Sequence, residues 1–318
     1  MRIDPVAHRV AQRVASARPP RIGRLPLRLL VAACAGALAA GMLLAWPLFR
    51  PQPALAATTA LGPVRCDPGT RPGLAGRSDE VRTARGLPVS VRTPRNYDPT
   101  RAQPLLVVYP PAGFGRAEAE HYYGLTEQAT RQGWLVAYPA AVPLSKRALV
   151  LQQQVADTVA SRWCVDADHV AFLGHSDGAT VAEGLLLRAP ELSPYPSHVL
   201  ASGAGLQGSD FTAETCPRPL DLTLVHSRGD RHFPGYGRQA ARWWAGCYAC
   251  AGRLPEAAQT AAGACAELGP CAAGARVRYC EADEDHADWP RAAAQAFRFL
   301  GAPAASTQTS TSTTSRSS

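Results

Sequence analysis

The segment HVAFLGHSDGATVAEGLLLR, residues 169–188, decides the fold because it joins an apolar run to a helical pattern through a serine. Residues 169–174 are continuous and apolar, which predicts a buried strand, and residues 177–188 predict a helix. Between them lies GHSDG, residues 174–178, a G-x-S-x-G pattern. In such a turn, side chains at the two glycine positions would clash, which is why glycine is required there. The turn exposes the serine hydroxyl at the carboxyl end of the sheet. We therefore predict that Ser176 is a nucleophile, the alternative being an ordinary glycine–serine turn.

Short apolar runs alternate with helical patterns on both sides of this segment. Further strands are expected at residues 79–84, 88–93, 104–110, 134–139, 198–202, 221–226 and 276–280, and further helices at 117–132, 148–162, 238–247 and 289–300. Continuous apolar strands separated by helices predict an α/β fold with a mostly parallel central sheet and helices on both faces. The first two strands are separated by three residues that include Gly86, which predicts an N-terminal antiparallel hairpin at the sheet edge.

A serine hydroxyl becomes a nucleophile when a histidine accepts its proton and an acid orients that histidine. In folds with this turn the chain order is serine, acid, histidine. The strand at 221–226 runs into a loop that contains Asp230, which is the expected acid. His286 follows the last strand and is the expected base, since His232 is too near the acid in sequence. A solvated loop acid and a surface histidine are the alternatives.

The oxyanion formed during acyl transfer needs two backbone N–H donors. Asp177, the residue after the serine, is expected to supply the first. The second is expected from the glycine-rich loop PAGFG, residues 111–115. Pro111 has no N–H, so the donor is Ala112 or Gly113, and we favour Gly113. An ordinary glycine-rich turn is the alternative.

The net charge of +8 is concentrated at the N-terminus. Residues 1–56 contain eight arginines and one acid, Asp4, whereas the remaining chain carries only +1. A nearly neutral body lacks the basic surface that phosphate binding requires. We therefore exclude nucleic acid as a partner.

A run of 21 uncharged, mostly apolar residues spans 29–49 after the arginine-rich stretch. It is long enough to cross a bilayer, and the preceding arginines would keep the N-terminus in the cytoplasm. Residues 54–56 (ALA) resemble a signal-peptidase site. The segment is thus a cleaved signal peptide or an uncleaved membrane anchor, and either one would export the body of the protein.

The cysteine count agrees with export. Apart from Cys34 in the apolar run, the chain has eight cysteines: Cys66, Cys164, Cys216, Cys247, Cys250, Cys265, Cys271 and Cys280. An even number in an oxidising compartment predicts up to four disulfides. The C-x-x-C at 247–250 also fits a zinc or redox motif, but no second C-x-x-C follows it, and we expect no metal site.

The organisation expected from composition is an export segment at 1–56, a lead-in at 57–75, a catalytic domain at 76–302 and a disordered tail at 303–318. The tail consists almost wholly of Ser, Thr and Ala, which cannot bury enough apolar surface to fold. Within the domain, residues 251–275 are rich in Ala and Gly and indicate an insertion held by disulfides.

Six segments occur in a distinctive order: PLLVVYPPAG (104–113), YYGLT (122–126), GWLVAYP (133–139), WCVD (163–166), GHSDG (174–178) and VHSRGD (225–230). In this order and spacing, over about residues 75–300, the chain resembles the secreted polyhydroxybutyrate depolymerase and feruloyl or acetylxylan esterase group of α/β-hydrolases. The resemblance implies an α/β-hydrolase fold and a serine esterase without a cofactor. It also implies nucleophile, acid and base roles for Ser176, Asp230 and His286, and a disulfide between Cys247 and Cys280.

Two motifs depart from that group. Pro111-Ala112 replaces its His-Gly, and Glu284-Asp285-His286 replaces its Gly-Gly-His. The Ser/Thr tail is not a polymer-binding module, which favours a soluble ester over an insoluble polymer. The resemblance therefore implies a secreted or anchored carboxylesterase for small or polymeric esters. The alternatives are the same triad acting on a peptide, thioester or lipid, and a non-catalytic binding protein.

Overall fold

The computed structural model describes residues 65–189, 192–211, 214–256 and 265–297. Within these ranges the chain forms a sheet of nine strands flanked by seven α-helices. The strands are β1 (Arg77–Arg82), β2 (Pro88–Arg92), β3 (Gln103–Tyr109), β4 (Leu135–Pro139), β5 (Val165–His175), β6 (His198–Ser202), β7 (Asp221–Ser227), β8 (Cys265–Glu267) and β9 (Arg276–Ala282). The helices are α1 (Arg116–Tyr123), α2 (Thr126–Arg131), α3 (Lys146–Gln152), α4 (Val155–Ala160), α5 (Asp177–Arg188), α6 (Tyr236–Cys247) and α7 (Arg291–Phe297).

The strands lie in the order β1-β2-β4-β3-β5-β6-β7-β9-β8. All neighbouring pairs from β4 to β9 are parallel. β1 and β2 form an antiparallel hairpin at one edge, where β2 also pairs antiparallel with β4, and β8 closes the other edge antiparallel to β9. The predicted mostly parallel sheet with an N-terminal hairpin is confirmed.

The apolar strands are buried on both faces of the sheet. In β3, Leu105, Val107 and Tyr109 belong to one hydrophobic core, and Leu106 and Val108 belong to the other. The first core includes residues of α4, α5 and α6, and the second includes residues of α1, α2 and α7. Successive side chains of a strand point to opposite faces, which is why a helix layer on each side requires a continuous apolar run.

The helix expected at 117–132 is divided into α1 and α2. Gly124 follows α1 with a φ of +61°, in the left-handed region, and its N–H donates to the Glu120 carbonyl oxygen. This backbone conformation ends a helix and is tolerated best by glycine. The break places Tyr123 at the last position of α1, where its side chain is buried.

Four disulfides link the cysteines of the described residues: Cys66–Cys164, Cys216–Cys247, Cys250–Cys271 and Cys265–Cys280. They fit an extracellular, oxidising compartment. The predicted disulfide between Cys247 and Cys280 is wrong. Cys265 on β8 lies directly opposite Cys280 on β9, with 4.0 Å between their Cα atoms, and Cys247 at the end of α6 is bonded to Cys216.

The predictions for the export segment at 1–56, including the apolar run at 29–49, and for the tail at 303–318 lie outside the described residues. So do residues 57–64 of the lead-in and part of the insertion. Among the helices that the structure does describe, none has the length and apolar character needed to cross a bilayer.

Glu183 is a fully buried carboxyl group on α5. The indole N–H of Trp244 donates a 2.8 Å hydrogen bond to its Oε2 atom, and its Oε1 atom has no partner among the described residues. Burial raises the pKa of Glu183 to about 7, although the bond from Trp244 opposes this rise. The core therefore favours the protonated, neutral form of this side chain.

We predict that Glu183 makes the protein less stable as the pH rises. The carboxyl has a pKa of about 7 in the folded protein, against an ordinary value of 4.5. Its contribution to the free energy of unfolding is therefore fully present below pH 4.5 and is lost as the pH rises through 7. Glu183→Gln cannot ionise and keeps an oxygen acceptor for Trp244. Between pH 4.5 and pH 8 the free energy of unfolding of the variant should gain ~3 kcal/mol relative to the parent, at about 1.4 kcal/mol per pKa unit.

Urea unfolding at the two pH values, with the disulfides intact, measures this difference. Glu127→Gln is the matched control, because Glu127 is exposed and, among the described residues, its carboxylate pairs only with Arg131 on the surface of α2. The difference in free energy of unfolding between Glu127→Gln and the parent should be nearly the same at both pH values. A Glu183→Gln difference that is the same at both pH values would contradict the prediction.

Candidate active site

Ser176 lies at the turn between β5 and α5. It has a φ of +55°, which is rare for a residue other than glycine and costs backbone strain. The turn can close because a Cβ at Gly174 would overlap the backbone of Gly178, and a Cβ at Gly178 would overlap the Tyr109 carbonyl group at the end of β3. The Ser176 N–H donates to the Ser202 carbonyl oxygen at 2.9 Å, which joins the turn to the end of β6.

The structure brings the three residues predicted as nucleophile, base and acid into one hydrogen-bonded chain. Ser176 Oγ lies 2.9 Å from His286 Nε2, and His286 Nδ1 lies 2.7 Å from Asp230 Oδ2. Asp230 follows β7 and His286 follows β9, and these two strands are parallel neighbours. Residues after their carboxyl ends therefore meet at the same edge of the sheet, although 56 positions separate them in sequence.

The carboxylate of Asp230 is buried and held on both oxygens. Its Oδ1 atom accepts the backbone N–H groups of His232 at 2.8 Å and Phe233 at 2.9 Å, which leaves Oδ2 for His286. Burial alone would raise the pKa of Asp230. The hydrogen bonds from Phe233 and His286, together with the adjacent imidazoles, outweigh burial and lower this pKa below its ordinary value. The acid is thus ionised at neutral pH.

A buried histidine, His226, supports the loop that carries this acid. His226 Nε2 donates to the Phe233 carbonyl oxygen at 2.8 Å and lies 3.6 Å from Asp230 Oδ2. Burial lowers the pKa of His226, so its ring is neutral at neutral pH, although the Phe233 carbonyl favours the charged form. The Phe233 ring packs edge-on against His286 with centroids 5.1 Å apart. His226 therefore fixes one wall of the pocket that holds His286.

Asp230, His232 and His286 offer three possible metal-ligand atoms within 4.8 Å of one another. However, His286 Nδ1 and Asp230 Oδ2 already bind each other. The rings of His232 and His286 are stacked 4.7 Å apart with 26° between their planes, so an ion lying in the plane of one ring beside its nitrogen would lie well out of the plane of the other. This donor arrangement suits proton transfer better than coordination of one ion.

The two expected oxyanion donors line the same cavity, of about 530 Å³. Asp177 is in the first turn of α5, where backbone N–H groups have no acceptor within the helix. Gly113 has a φ of +77° in a turn that is closed by the Phe114 N–H, which donates to the Pro111 carbonyl oxygen at 3.3 Å. The Phe114 N–H is thereby engaged, which leaves the N–H groups of Ala112 and Gly113 as candidates for the second donor.

The walls of this cavity come from residues 109–115, residues 140–144, Gln152, Asp177 and Val181. They are mainly apolar, and Asp177 is the only ionisable group among them besides the phenol of Tyr109. Gln152 is buried at the cavity wall, and its Nε2 atom donates to the Ala140 carbonyl oxygen at 2.9 Å. The cavity therefore suits an uncharged, largely apolar group.

Sequence reasoning left His175 without a role, yet its side chain contacts the loop of the predicted base. His175 is only 3% exposed, and its Nε2 atom lies 2.7 Å from the backbone carbonyl oxygen of His286. Burial lowers the pKa of His175 to about 4, and the His286 carbonyl only partly offsets this effect. The available signal was the placement of a polar ring directly after the apolar residues 170–174 of β5.

No protein-family model matches the sequence, and no curated protein matches it. Solved structures share its architecture at low identity. An acetyl xylan esterase from Aspergillus awamori is 13% identical, with a TM-score of 0.51 over 72% of this chain and 100% of that chain. A thermophilic esterase, Est2, from the planctomycete Thermogutta terrifontis, with butyrate bound, is 12% identical, with a TM-score of 0.51 over 71% of this chain and 93% of that chain. Thermogutta terrifontis esterase 2 phosphonylated by cyclosarin is 12% identical, with a TM-score of 0.52 over 72% of this chain and 94% of that chain.

At these identities the likeness concerns the fold. In this chain that fold is the mostly parallel sheet with helices on both faces. The chain therefore has the α/β-hydrolase fold.

Proposed function

We propose that this protein is an exported serine carboxylesterase that hydrolyses its substrates through an acyl-enzyme on Ser176. The observation that carries the proposal is the continuous chain of hydrogen bonds from Ser176 Oγ through His286 to Asp230. A binding protein that had merely kept the fold would have no need for a strained serine, a buried ionised acid and a histidine in this alignment. The convergence thus favours catalysis over binding.

In the first half of the reaction, Ser176 Oγ attacks the ester carbonyl carbon while His286 Nε2 takes the hydroxyl proton. The resulting oxyanion would accept the N–H groups of Asp177 and Gly113. Asp230 stabilises the imidazolium form of His286 without taking its proton. His286 then gives the proton to the alcohol oxygen as the C–O bond breaks, and the acyl group remains on the serine.

In the second half, His286 removes a proton from a water molecule that attacks the acyl-enzyme carbonyl carbon. The same donors would hold the second oxyanion. His286 then returns the proton to Ser176 Oγ, and the carboxylic acid leaves. The balance is one ester and one water converted into one acid and one alcohol, with no redox change and no cofactor.

The proposed substrates are small or polymeric esters of the polyhydroxyalkanoate, feruloyl or acetyl type. This choice rests on the sequence resemblance and on the mainly apolar cavity beside Asp177. An uncharged acyl group fits such walls, whereas a charged one would lose hydration without gaining an ion pair. Export, by a signal peptide or an anchor at residues 29–49, is supported by the four disulfides.

We predict that Ser176→Ala abolishes ester hydrolysis by the full chain, purified with its disulfides formed. Removing the nucleophile of such a triad costs on the order of 10⁶ in kcat. Release of p-nitrophenol from its acetate and butyrate esters measures the activity. Ser161→Ala is the matched control, because Ser161 is an exposed serine after α4 that donates only to a nearby backbone carbonyl oxygen. Equal hydrolysis by the parent and Ser176→Ala, or a folded parent with no hydrolysis, would reject the proposal.

We also predict that Gly113→Ala lowers kcat. A Cβ at Gly113 meets no atom within 4 Å, so the substitution acts through its φ of +77°, which alanine adopts at a cost of about 1–2 kcal/mol. Relief of that strain would turn the loop away, and loss of one oxyanion donor costs about 10²–10³-fold in kcat.

Gly86→Ala in the β1–β2 hairpin is the control, since Gly86 has a φ of +83° and equally open space around its Cβ position. Thermal unfolding should show a similar loss of stability in both variants, with kcat reduced only at Gly113. Equal kcat values in the two variants would remove the Gly113 loop from the oxyanion site.

A further inference from the structure

His175 precedes the proposed nucleophile and ends β5 with its ring turned into the protein. Its backbone N–H donates to the phenol oxygen of Tyr123 at 2.8 Å, and that phenol donates to the Tyr109 carbonyl oxygen at 2.8 Å. Its Nδ1 atom lies 3.1 Å from Ser202 Oγ. The residue is thus tied to the ends of α1, β3 and β6 at once, and its ring has little freedom to rotate.

The partners of the ring determine its tautomer. The His286 carbonyl oxygen can only accept, so His175 Nε2 must carry the proton in that 2.7 Å bond. Because burial keeps the ring neutral, Nδ1 is the unprotonated nitrogen and accepts the hydroxyl of Ser202. Every polar atom of this buried ring therefore has a partner.

This bond closes a short cycle around the proposed nucleophile and base. Ser176 Oγ contacts the ring of His286, the His286 carbonyl oxygen accepts from the ring of His175, and a peptide bond joins His175 to Ser176. The next carbonyl, that of Ala287, accepts the phenol of Tyr122 at 3.2 Å. Two adjacent carbonyls of the histidine loop are thus held by side chains from β5 and α1.

We propose that His175 is a positioning residue: its Nε2–H anchors the backbone of His286 and so keeps the imidazole in hydrogen-bonding reach of Ser176. The Asp230 bond constrains Nδ1 of the imidazole but does not hold the backbone carbonyl of His286 itself. His175 supplies the missing constraint from the residue next to the nucleophile, so that nucleophile and base move together. The inference rests on the proposed esterase function.

Three substitutions at His175 distinguish the effect of the Nε2–H donor from the effect of the ring's size. In His175→Gln, the side-chain amide N–H can reach the position of ring Nε2. In His175→Asn, the same amide is one methylene shorter and lies near the position of Nδ1. His175→Phe keeps a ring of similar size but has no donor. None of these changes touches the cavity beside Asp177, to which His175 does not contribute.

We expect His175→Asn and His175→Phe to lose about 10²-fold in kcat, the cost of a misplacement of about 1 Å, with KM nearly unchanged. His175→Gln should keep most of the parent kcat. Thermal unfolding shows which variants are folded, and either the Asn or the Phe variant suffices for comparison with Gln. Equal kcat in all folded variants, or equal loss in Gln and the others, would overturn the proposal.

A spectroscopic readout makes the test independent of ester turnover. The downfield proton resonance of His286 Nδ1–H, in its bond to Asp230, should persist in the parent and in His175→Gln. It should broaden or exchange faster with solvent in the folded variants that lack the donor. A parent with this resonance but no hydrolysis would count against the esterase alone, whereas a resonance unchanged in every variant would count against the positioning role alone.

Discussion

The site depends on close backbone contacts at Gly174 and Gly178 that leave no room for a side chain. Gly174 and Gly178 face each other across the turn, and Gly178 also packs against the Tyr109 carbonyl group at the end of β3. This approach lets the chain reverse within five residues and holds Ser176 at a φ of +55°. It also fixes the start of α5 against the strand that leads into the Gly113 loop. One steric constraint therefore positions the proposed nucleophile and both expected oxyanion donors relative to one another.

The parallel order of the strands brings the remaining groups to the same place. β5, β6, β7 and β9 are consecutive neighbours, so the residues that follow them gather at one edge of the sheet. Gly203, directly after β6, leaves space at this edge for the rings of His175 and His286. A Cβ there would lie 3.2 Å from the His175 ring and 3.4 Å from the His286 ring. The absent side chain leaves room for the two imidazoles, whose centroids are 5.3 Å apart.

The features that could be predicted from sequence are those that local patterns determine. The alternation of apolar runs and helical patterns was enough to predict the sheet. The loops after the later strands were enough to select Asp230 and His286, which the structure brings to hydrogen-bonding distance. The disulfide of Cys247 could not be predicted, because its partner depends on how α6 packs. That of Cys280 depends on a three-residue strand, β8, too short to give a periodic signal. His175 was missed for a similar reason: its partner lies 111 positions away in sequence.

Electrostatics explain why the buried histidines around the base must be neutral. Proton transfer from Ser176 would give His286 a positive charge, and a second cation at His175 or His226 would oppose that charge at short range. Burial lowers the pKa of both neighbours, so each acts as a neutral hydrogen-bond donor to a backbone carbonyl oxygen. At Asp230 the effect of burial is outweighed. Its carboxylate accepts backbone N–H groups, and hydrogen bonding lowers its pKa, so the acid stays ionised. Of His175, His226 and His286, only His286 is placed beside both the Ser176 hydroxyl and an ionised carboxylate. Burial of the other two therefore directs the proton of the serine to a single acceptor.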